Sequence, residues 1–474
     1  MMEIEQELRE VLSKDAVIVT PKDHNYKQAI KRWSVTAEKE APLVVFPACT
    51  SDISHTVRLT TEYDLDLAVT GGSHSTSGQS STSTGISLNL SLMKEVLIDT
   101  ETKTITAQGG ATWADVDAAA AKHGLVTVGG TVNRTGIGGL TLGGGYGYLS
   151  GKYGLAVDNL VAAEVVLADG KVAWASKKEN PGLFWAVRGA GAGFGVVSEF
   201  VFRGYEHSGE VWGGMMAFEK SAIEGVVGFA NKLMTREDLK GVVTMMVGFT
   251  TPPPIGRSCV VAVLFYDGEE EKAREFFGPL KELGPLMDRT GMMPYPEMNA
   301  LHNPTTPDGD RRTMKGATYT YPLDWKFVDS MYAEYVRHTE EIPDAKKTLV
   351  LFEFIHNGKI MEVPLNAMAF ANRGEWGNVV IVSGWTESKW DERCRAWTRE
   401  MANRVKREAG GEKKGDGVGV YVNYDGLGDT RTRDIFGGNY EKLLDLKRQY
   451  DPENVFNRAY NLIPGGGEDV PAGC

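Results

Sequence analysis

His74 is the one titratable side chain in the run Gly71-Gly72-Ser73-His74-Ser75-Thr76-Ser77-Gly78. Small residues on both sides let backbone N–H groups converge on an anion, as a nest does with phosphate. By itself, a histidine among glycines reads as a surface turn. Two further clusters alter the picture: Gly129–Gly139, continuing to Gly143–Gly147, and Gly189–Gly195. Of 56 glycines in 474 residues, twelve fall between Gly109 and Gly147. They are interleaved with Leu, Ile, Val, Tyr and Trp, unlike a Gly/Ser linker. None of the clusters contains G-x-G-x-x-G, and Gly147–Tyr153 lacks the spacing and hydroxyl of a Walker A loop, which disfavours a Rossmann nicotinamide enzyme and a P-loop NTPase. Three glycine-rich loops, each beside a strand, suit a long ligand lying along backbone. A dinucleotide has that length.

The elements around these loops are short strands and amphipathic helices. Pro42–Pro47 and Leu65–Thr70 read as strands, the second running straight into the His74 loop. Between them lies a helix with Ser51 and Asp52 at its N-cap, reaching about Glu62. Ile86–Leu90 and the alternating Glu95–Ala107, broken at Thr100–Thr102, read as strands. Leu160–Leu167 and Val172–Ala175 form a hairpin across Asp169-Gly170, a pair suited to a type I′ turn. Val196–Val201 is a further strand, and Ile4–Leu12 and Trp113–Lys122 are helices. Beyond Glu206 the glycine clusters thin out. Helices are expected at Ala222–Met234, Glu269–Glu282, Phe327–Ile342 and Arg393–Glu408, and strands at Val242–Phe249, Val260–Phe265 and Thr348–Phe354. Gly410–Gly417 reads as a solvated loop and Gly465–Cys474 as a frayed tail. The layout is one domain, a second, and a return to the first.

Bulk properties narrow the partners. A chain of 474 residues exceeds what one hydrophobic core usually serves. With 42% hydrophobic and 24% charged residues it is not a disordered chain. Lys and Arg total 51 against 63 Asp and Glu, a net charge of −12 that repels phosphate backbones and anionic lipid. Neither nucleic acid nor membrane is an expected partner. Cys49, Cys259, Cys394 and Cys474 lie far apart with no C-x-x-C pair, which argues against a disulfide framework or a zinc module. The acidic start lacks the features of a signal peptide, so a cytoplasmic or otherwise intracellular location is expected.

The segment 42–200 resembles the FAD-binding domain of the vanillyl-alcohol oxidase/p-cresol methylhydroxylase superfamily, and within it the chain looks like a berberine-bridge-enzyme-like oxidoreductase. The pieces that carry the resemblance are VTGGSHSTSG (69–78), TGIGGLTLGGGYG (135–147), GLAVDNL (154–160) and GAGAGFGVV (189–197), with MPYPEMN (293–299) in the middle. Near the end, YVNYDG (421–426) and FGGNYEKLLDLKRQYDPENVF (436–456) complete it. The resemblance implies an α+β fold: a two-lobed FAD-binding domain of the p-cresol methylhydroxylase type over 1–205, a substrate domain with an antiparallel sheet backed by helices over 206–419, and a segment 420–474 returning to the first. It further implies that His74 bonds the flavin 8α carbon, which a neutral imidazole can do as a nucleophile. The same matching places Thr70, Gly71, Gly72, Ser73, Ser75, Gly78 and Gln79 on the cofactor. Gly130, Thr131, Thr135, Gly136, Gly138, Gly139 and Gly145 follow, with Val197, Tyr421 and Asn423.

Departures from the family pattern carry information. Relatives with a second flavin link have a cysteine three residues before the position of Thr135; this chain has Val132, so attachment through His74 only is implied. Thr135 falls on the position that gates oxygen, and its valine-like volume favours an oxidase. Tyr424 matches a tyrosine that recurs as base or substrate contact. A tyrosine titrates near 10, so that role needs nearby positive charge or coupled hydride departure. Other relatives carry a carboxylate base on the strand after a Phe-x-x-Arg motif, here Phe370–Arg373. Alignment puts Asn378 or Val379 at that point, and neither accepts a proton; Glu353 could substitute if it faces the flavin. The resulting expectation is an FAD-dependent oxidase that takes a hydride from a C–H next to an alcohol or amine of a small molecule and delivers electrons to O2. Alternatives are a dehydrogenase with a non-oxygen acceptor, a flavin-holding protein with an inactive site, or an α+β domain whose glycines are only turns.

Overall fold

The protein is described here from a computed structural model, over residues 2–253, 255–411, 417–460 and 462–463. Residues 412–416 of the expected Gly410–Gly417 loop, and the expected tail 465–474, lie outside the described residues. Three larger sheets organise the chain. In the first, Leu43–Phe46, Ile86–Asn89 and Leu67–Thr70 run parallel, with Val17–Val19 antiparallel on the outer edge. Parallel strands need a crossover, and the helix Thr50–Glu62 makes it, burying Ile53 and Val57 completely. Its N-cap is Cys49 rather than Ser51 or Asp52. Asp52 sits one turn in, where its buried carboxylate accepts from the N–H groups of Ala48 (2.9 Å) and Cys49 (3.3 Å).

The second sheet is antiparallel, in the order Val96–Asp99, Thr104–Gln108, Val196–Arg203, Leu160–Val166, Val172–Ser176. The Leu160–Val166 hairpin is present, but its turn is not type I′. That turn needs positive φ at both central residues, and here only Gly170 has it (φ +79°). The Gly170 N–H donates to Leu167 O, and the Leu167 N–H to Lys171 O, so the loop is longer by a residue. Leu183 and Val187 of the helix Pro181–Ala190 pack on this sheet together with Phe436, Leu443 and Tyr460 from the C-terminal segment.

The third sheet has seven antiparallel strands, in the order Met287–Pro294, Glu210–Phe218, Cys259–Tyr266, Val243–Thr250, Leu349–Ile355, Trp376–Trp385, Arg311–Thr320. One face buries apolar residues beneath the helices Ile223–Leu233, Glu270–Glu282, Trp325–Glu341 and Asp391–Glu408. The other faces the glycine loops. Three of its strands, Met287–Pro294, Glu210–Phe218 and Arg311–Thr320, escape a sequence reading, the last two for physical reasons. Glu210–Phe218 is interrupted by Gly213-Gly214, ordinarily a strand breaker; Gly214 has φ +134° and a Cβ there would lie 2.0 Å from Arg289 O. Arg311–Thr320 carries Arg312 and Lys315, both buried: Arg312 pairs with the neighbouring Asp310 and donates to the distant Trp33 O, and Lys315 pairs with the distant Asp425. Among the described residues, no helix is long and apolar enough to cross a membrane.

Candidate active site

The three glycine loops, the inner face of the seven-stranded sheet and residues 421–430 enclose one cavity of about 630 Å³. The loops close on each other backbone to backbone. A Cβ on Gly72 would lie 2.1 Å from the Gly136 nitrogen, and one on Gly136 would lie 2.3 Å from the Gly72 nitrogen. Of the residues expected on a cofactor, Gly71, Gly72, Ser73, His74, Ser75, Gly78 and Gln79 line this cavity. So do Gly130, Thr131, Thr135, Gly136, Gly138, Gly139, Val197, Tyr421 and Asn423. Thr70 and Gly145 do not: Thr70 is fully buried with its hydroxyl donated to Ser80 O (2.9 Å), and the Gly145 N–H donates to the Tyr421 hydroxyl (3.2 Å) behind the wall.

His74 follows Ser73, whose φ of +59° costs a non-glycine residue roughly 1 kcal/mol. The Trp33 N–H donates to Ser73 O at 3.0 Å across this strained step. The His74 imidazole lies flat on the Trp33 indole, centroids 4.1 Å apart and 16° from parallel. On Trp33 sits the Arg312 guanidinium, 4.6 Å from the ring centroid, which also donates to Trp33 O at 2.8 Å and pairs with Asp310 at 2.6 Å. Burial, with the positive charges of Arg312 and Arg134, pushes the His74 pKa down to about 3. The imidazole is therefore neutral and keeps a lone pair at physiological pH.

Tyr424 and Glu353 meet on another wall of the same cavity. The Tyr424 hydroxyl donates to Glu353 Oε1 at 2.6 Å. Glu353 Oε2 is buried and has no hydrogen-bond partner among the described residues. Burial pushes the Glu353 carboxyl up to about 7. The Tyr424 hydroxyl goes well above its usual 10, first through burial and then through the Glu353 charge. The positive charge that a tyrosine base requires is thus replaced by a carboxylate, and the proton-accepting capacity of the pair resides in Glu353. Asn378, at the strand position where relatives carry a carboxylate, is buried one residue from the Val379–Phe352 pair. Val379 points to the helix side, in the core. The Phe370–Arg373 motif is structural here: Arg373 forms a buried ion pair with Asp158 at 2.5 Å.

Tyr424 is placed by its neighbours. A Cβ on Gly316 would lie 2.6 Å from Tyr424 Cβ, so glycine is needed beneath it. Next door, Lys315 bridges Asp425 and Asp429 and is itself buried. Neither Lys315 nor Arg312 stands out in the sequence, because with Arg311 they read as ordinary surface cations of one strand. His302 also lines the cavity, with burial pushing its pKa down to about 4. Its run Ala-Leu-His-Asn-Pro reads as an ordinary turn.

The donor set fits FAD. Ser80 Oγ, on the cavity wall, and Glu353 Oε2 are buried polar atoms without partners among the described residues. Such atoms are costly unless a ligand satisfies them. Lys39 and Arg458 line the cavity at the Gly78–Ser80 turn, where Arg458 donates to Gln79 O at 3.2 Å and a Gly78 Cβ would lie 3.7 Å from Lys39 Cε. Arg458 is ion-paired with Asp66 at 2.5 Å, which leaves Lys39 as the cation beside this glycine turn suited to a phosphate.

Comparisons with known proteins agree with this geometry. The pattern of the FAD binding domain family matches residues 41–176, and that of the berberine and berberine-like family matches residues 420–462. The chain is 34% identical over 454 residues to FAD-linked oxidoreductase pgmH of Aspergillus terreus, covering 93% of this chain and 92% of that protein. The structure of 6-hydroxy-D-nicotine oxidase from Arthrobacter nicotinovorans superposes with a TM-score of 0.81 at 25% identity, covering 96% of this chain and 99% of the other. Glucooligosaccharide oxidase from Acremonium strictum, which carries a 6-S-cysteinyl, 8α-N1-histidyl FAD, shares the fold with a TM-score of 0.82 at 21% identity, covering 97% and 99%.

Proposed function

This chain belongs to the berberine-bridge-enzyme-like FAD-linked oxidoreductases, and from that premise we propose that it is an oxidase. It converts a secondary or primary alcohol, or the corresponding amine, to the carbonyl or imine while dioxygen becomes hydrogen peroxide. The observation that carries this reading is the 2.6 Å hydrogen bond from Tyr424 to Glu353 inside the cavity. Bound FAD, which the glycine loops around His74 and Gly136 would hold, would supply a hydride acceptor and a route for the electron pair to dioxygen. The protein's part is the proton. A substrate hydroxyl set against the Tyr424 oxygen gives up its proton as Tyr424 hands its own to Glu353, so neither side chain need hold a phenolate charge. A carboxyl titrating near 7 suits both accepting that proton and returning it to solvent. An inert flavin carrier is disfavoured, since the carboxylate missing at Asn378 is supplied from the neighbouring strand.

His74, neutral and clamped by Trp33, is the proposed single attachment point, through the flavin 8α carbon. Val132 lines the cavity without a thiol for a second link. Thr135 lines the cavity, and its valine-like volume supports oxygen access by the family resemblance. Purified holoenzyme reduced anaerobically by substrate and then exposed to air tests the reading. Reoxidation within seconds with stoichiometric peroxide is expected. Reoxidation over many minutes, accelerated by a quinone, would identify a dehydrogenase instead.

A further inference from the structure

The inner face of the seven-stranded sheet has one polar corner, Glu353 with Tyr424. Beyond it the residues that this sheet contributes to the cavity are apolar. Leu349 and Leu351 on one strand, Val380 and Val382 on the next, and Met314 on the edge strand all line the cavity. The ladder sets them side by side: Leu351 opposite Val380, Leu349 opposite Val382, and Val382 opposite Met314. Met246, opposite Glu353, bounds the corner on its far side. Strand alternation separates this surface cleanly from the core. Val350, Phe352, Val379 and Ile381 are fully buried under the helices, whereas Leu351, Val380 and Val382 keep 8–9% exposure toward the cavity.

Arg312 and Trp33, the polar side chains at the edge of this strip, are already engaged. Arg312 is bound to Trp33 O, Pro307 O and Asp310, and the Trp33 indole N–H donates to Thr306 O at 3.0 Å. A polyhydroxylated ligand would bury hydroxyls with nothing to receive them, and each unpaired one weakens binding. A charged ammonium group lying on this strip would be desolvated with no carboxylate among the strip residues to pair with it.

We propose that the substrate is an uncharged alcohol on an apolar carbon skeleton, held with its hydroxyl at Glu353–Tyr424 and its skeleton on the strip formed by Leu349, Leu351, Val380, Val382 and Met314. A sugar and an ammonium compound are both poor occupants. This rests on the assignment of Glu353 and Tyr424 as the reacting corner.

Holoenzyme is titrated anaerobically with cinnamyl alcohol, 2-naphthylmethanol and perillyl alcohol, and in parallel with cellobiose and benzylamine, following the flavin absorption spectrum. The apolar alcohols are expected to perturb and then bleach the spectrum at concentrations at least tenfold below those needed for cellobiose or benzylamine. Leu351→Asn should raise their half-saturating concentration about tenfold, and the isosteric Val382→Thr about threefold, with covalently bound flavin content unchanged in both. Spectral silence toward all three alcohols overturns the proposal, as does half-saturation unmoved in Leu351→Asn and Val382→Thr. Bleaching by cellobiose or benzylamine alone, lost in Glu353→Gln, overturns only the substrate class and leaves the reacting corner standing. Bleaching by the apolar alcohols at an unchanged rate in both Glu353→Gln and Tyr424→Phe removes the corner, and the proposal with it.

Discussion

Trp33 and His74, 41 residues apart in the chain, lie face to face with ring centroids 4.1 Å apart, and the Arg312 guanidinium lies over the indole 4.6 Å from its centroid. The stack links the glycine loop of the FAD-binding region to the edge strand of the seven-stranded sheet. It also fixes the imidazole plane. Trp33→Ala frees that plane and is expected to lower the covalently attached fraction of flavin at least severalfold, while Trp33→Phe restores it. The measurement is the flavin fluorescence of acid-precipitated protein relative to total flavin. In His74→Ala all flavin should appear in the supernatant; covalent flavin surviving there would falsify the attachment point.

Glu353→Gln removes the final proton acceptor and keeps the hydrogen-bonding shape. Anaerobic flavin reduction by substrate should slow by roughly 100-fold, the usual scale for losing a general base. In the native enzyme the rate should climb with pH through a midpoint near 7 before levelling off, because only the ionised carboxylate accepts the proton and burial lifts its pKa to about 7. The Gln variant should lose that rise. Stopped-flow reduction between pH 5.5 and 8.5 measures both effects.

Gly316→Ala places a methyl group 2.6 Å from Tyr424 Cβ. Tyr424 must then shift away from Glu353, and a displacement on the ångström scale costs on the order of 100-fold in rate. Thermal unfolding should move little, since the cavity can absorb the shift. A variant with native reduction kinetics would show that the Tyr424 position is not set from beneath.

Lys315→Met leaves Asp425 buried without its cation, while Asp429 retains Arg399 at 2.9 Å. Breaking a buried pair on one side costs about 3 kcal/mol. Reduced stability by denaturant titration is expected, together with loosening of the segment carrying Tyr424, seen as faster amide exchange over residues 421–430.

Asp117 supplies a pH prediction away from the cavity. It is buried, accepts from Asn299 Nδ2 at 2.9 Å, and burial lifts its pKa to about 7. Because the folded value exceeds the unfolded one near 3.9, the folded state holds the proton more tightly. Its contribution is complete below about pH 4 and is lost as pH rises through 7, with a slope of at most about 1.4 kcal/mol per pH unit. Asp117→Asn should flatten that fall in a series of melting curves.

Much of the fold is legible from local order alone. The strand Leu67–Thr70 entering the His74 loop, the hairpin at Gly170 and the helix Asp391–Glu408 all follow from apolar periodicity and glycine placement, which act over a few residues. The exceptions share one cause. Gly213 and Gly214 look like strand breakers, and Arg312 and Lys315 look like surface cations, until distant partners justify them.

The same division holds at the site. The glycine clusters suggest a dinucleotide cradle from sequence, because the requirement for small residues is written into consecutive positions, whereas His74 gains its role only from the family resemblance. Glu353 is different. Its strand, Leu-Val-Leu-Phe-Glu-Phe-Ile, is apolar at every other position on both faces, so alternation cannot say which face meets the cavity. Pairing with Met246 on one side, and a hydrogen bond to a tyrosine 71 residues away, decide it. Proton chemistry needs two side chains within 3 Å, and chain order alone does not encode that proximity; only the closing of the C-terminal segment over the sheet brings it about.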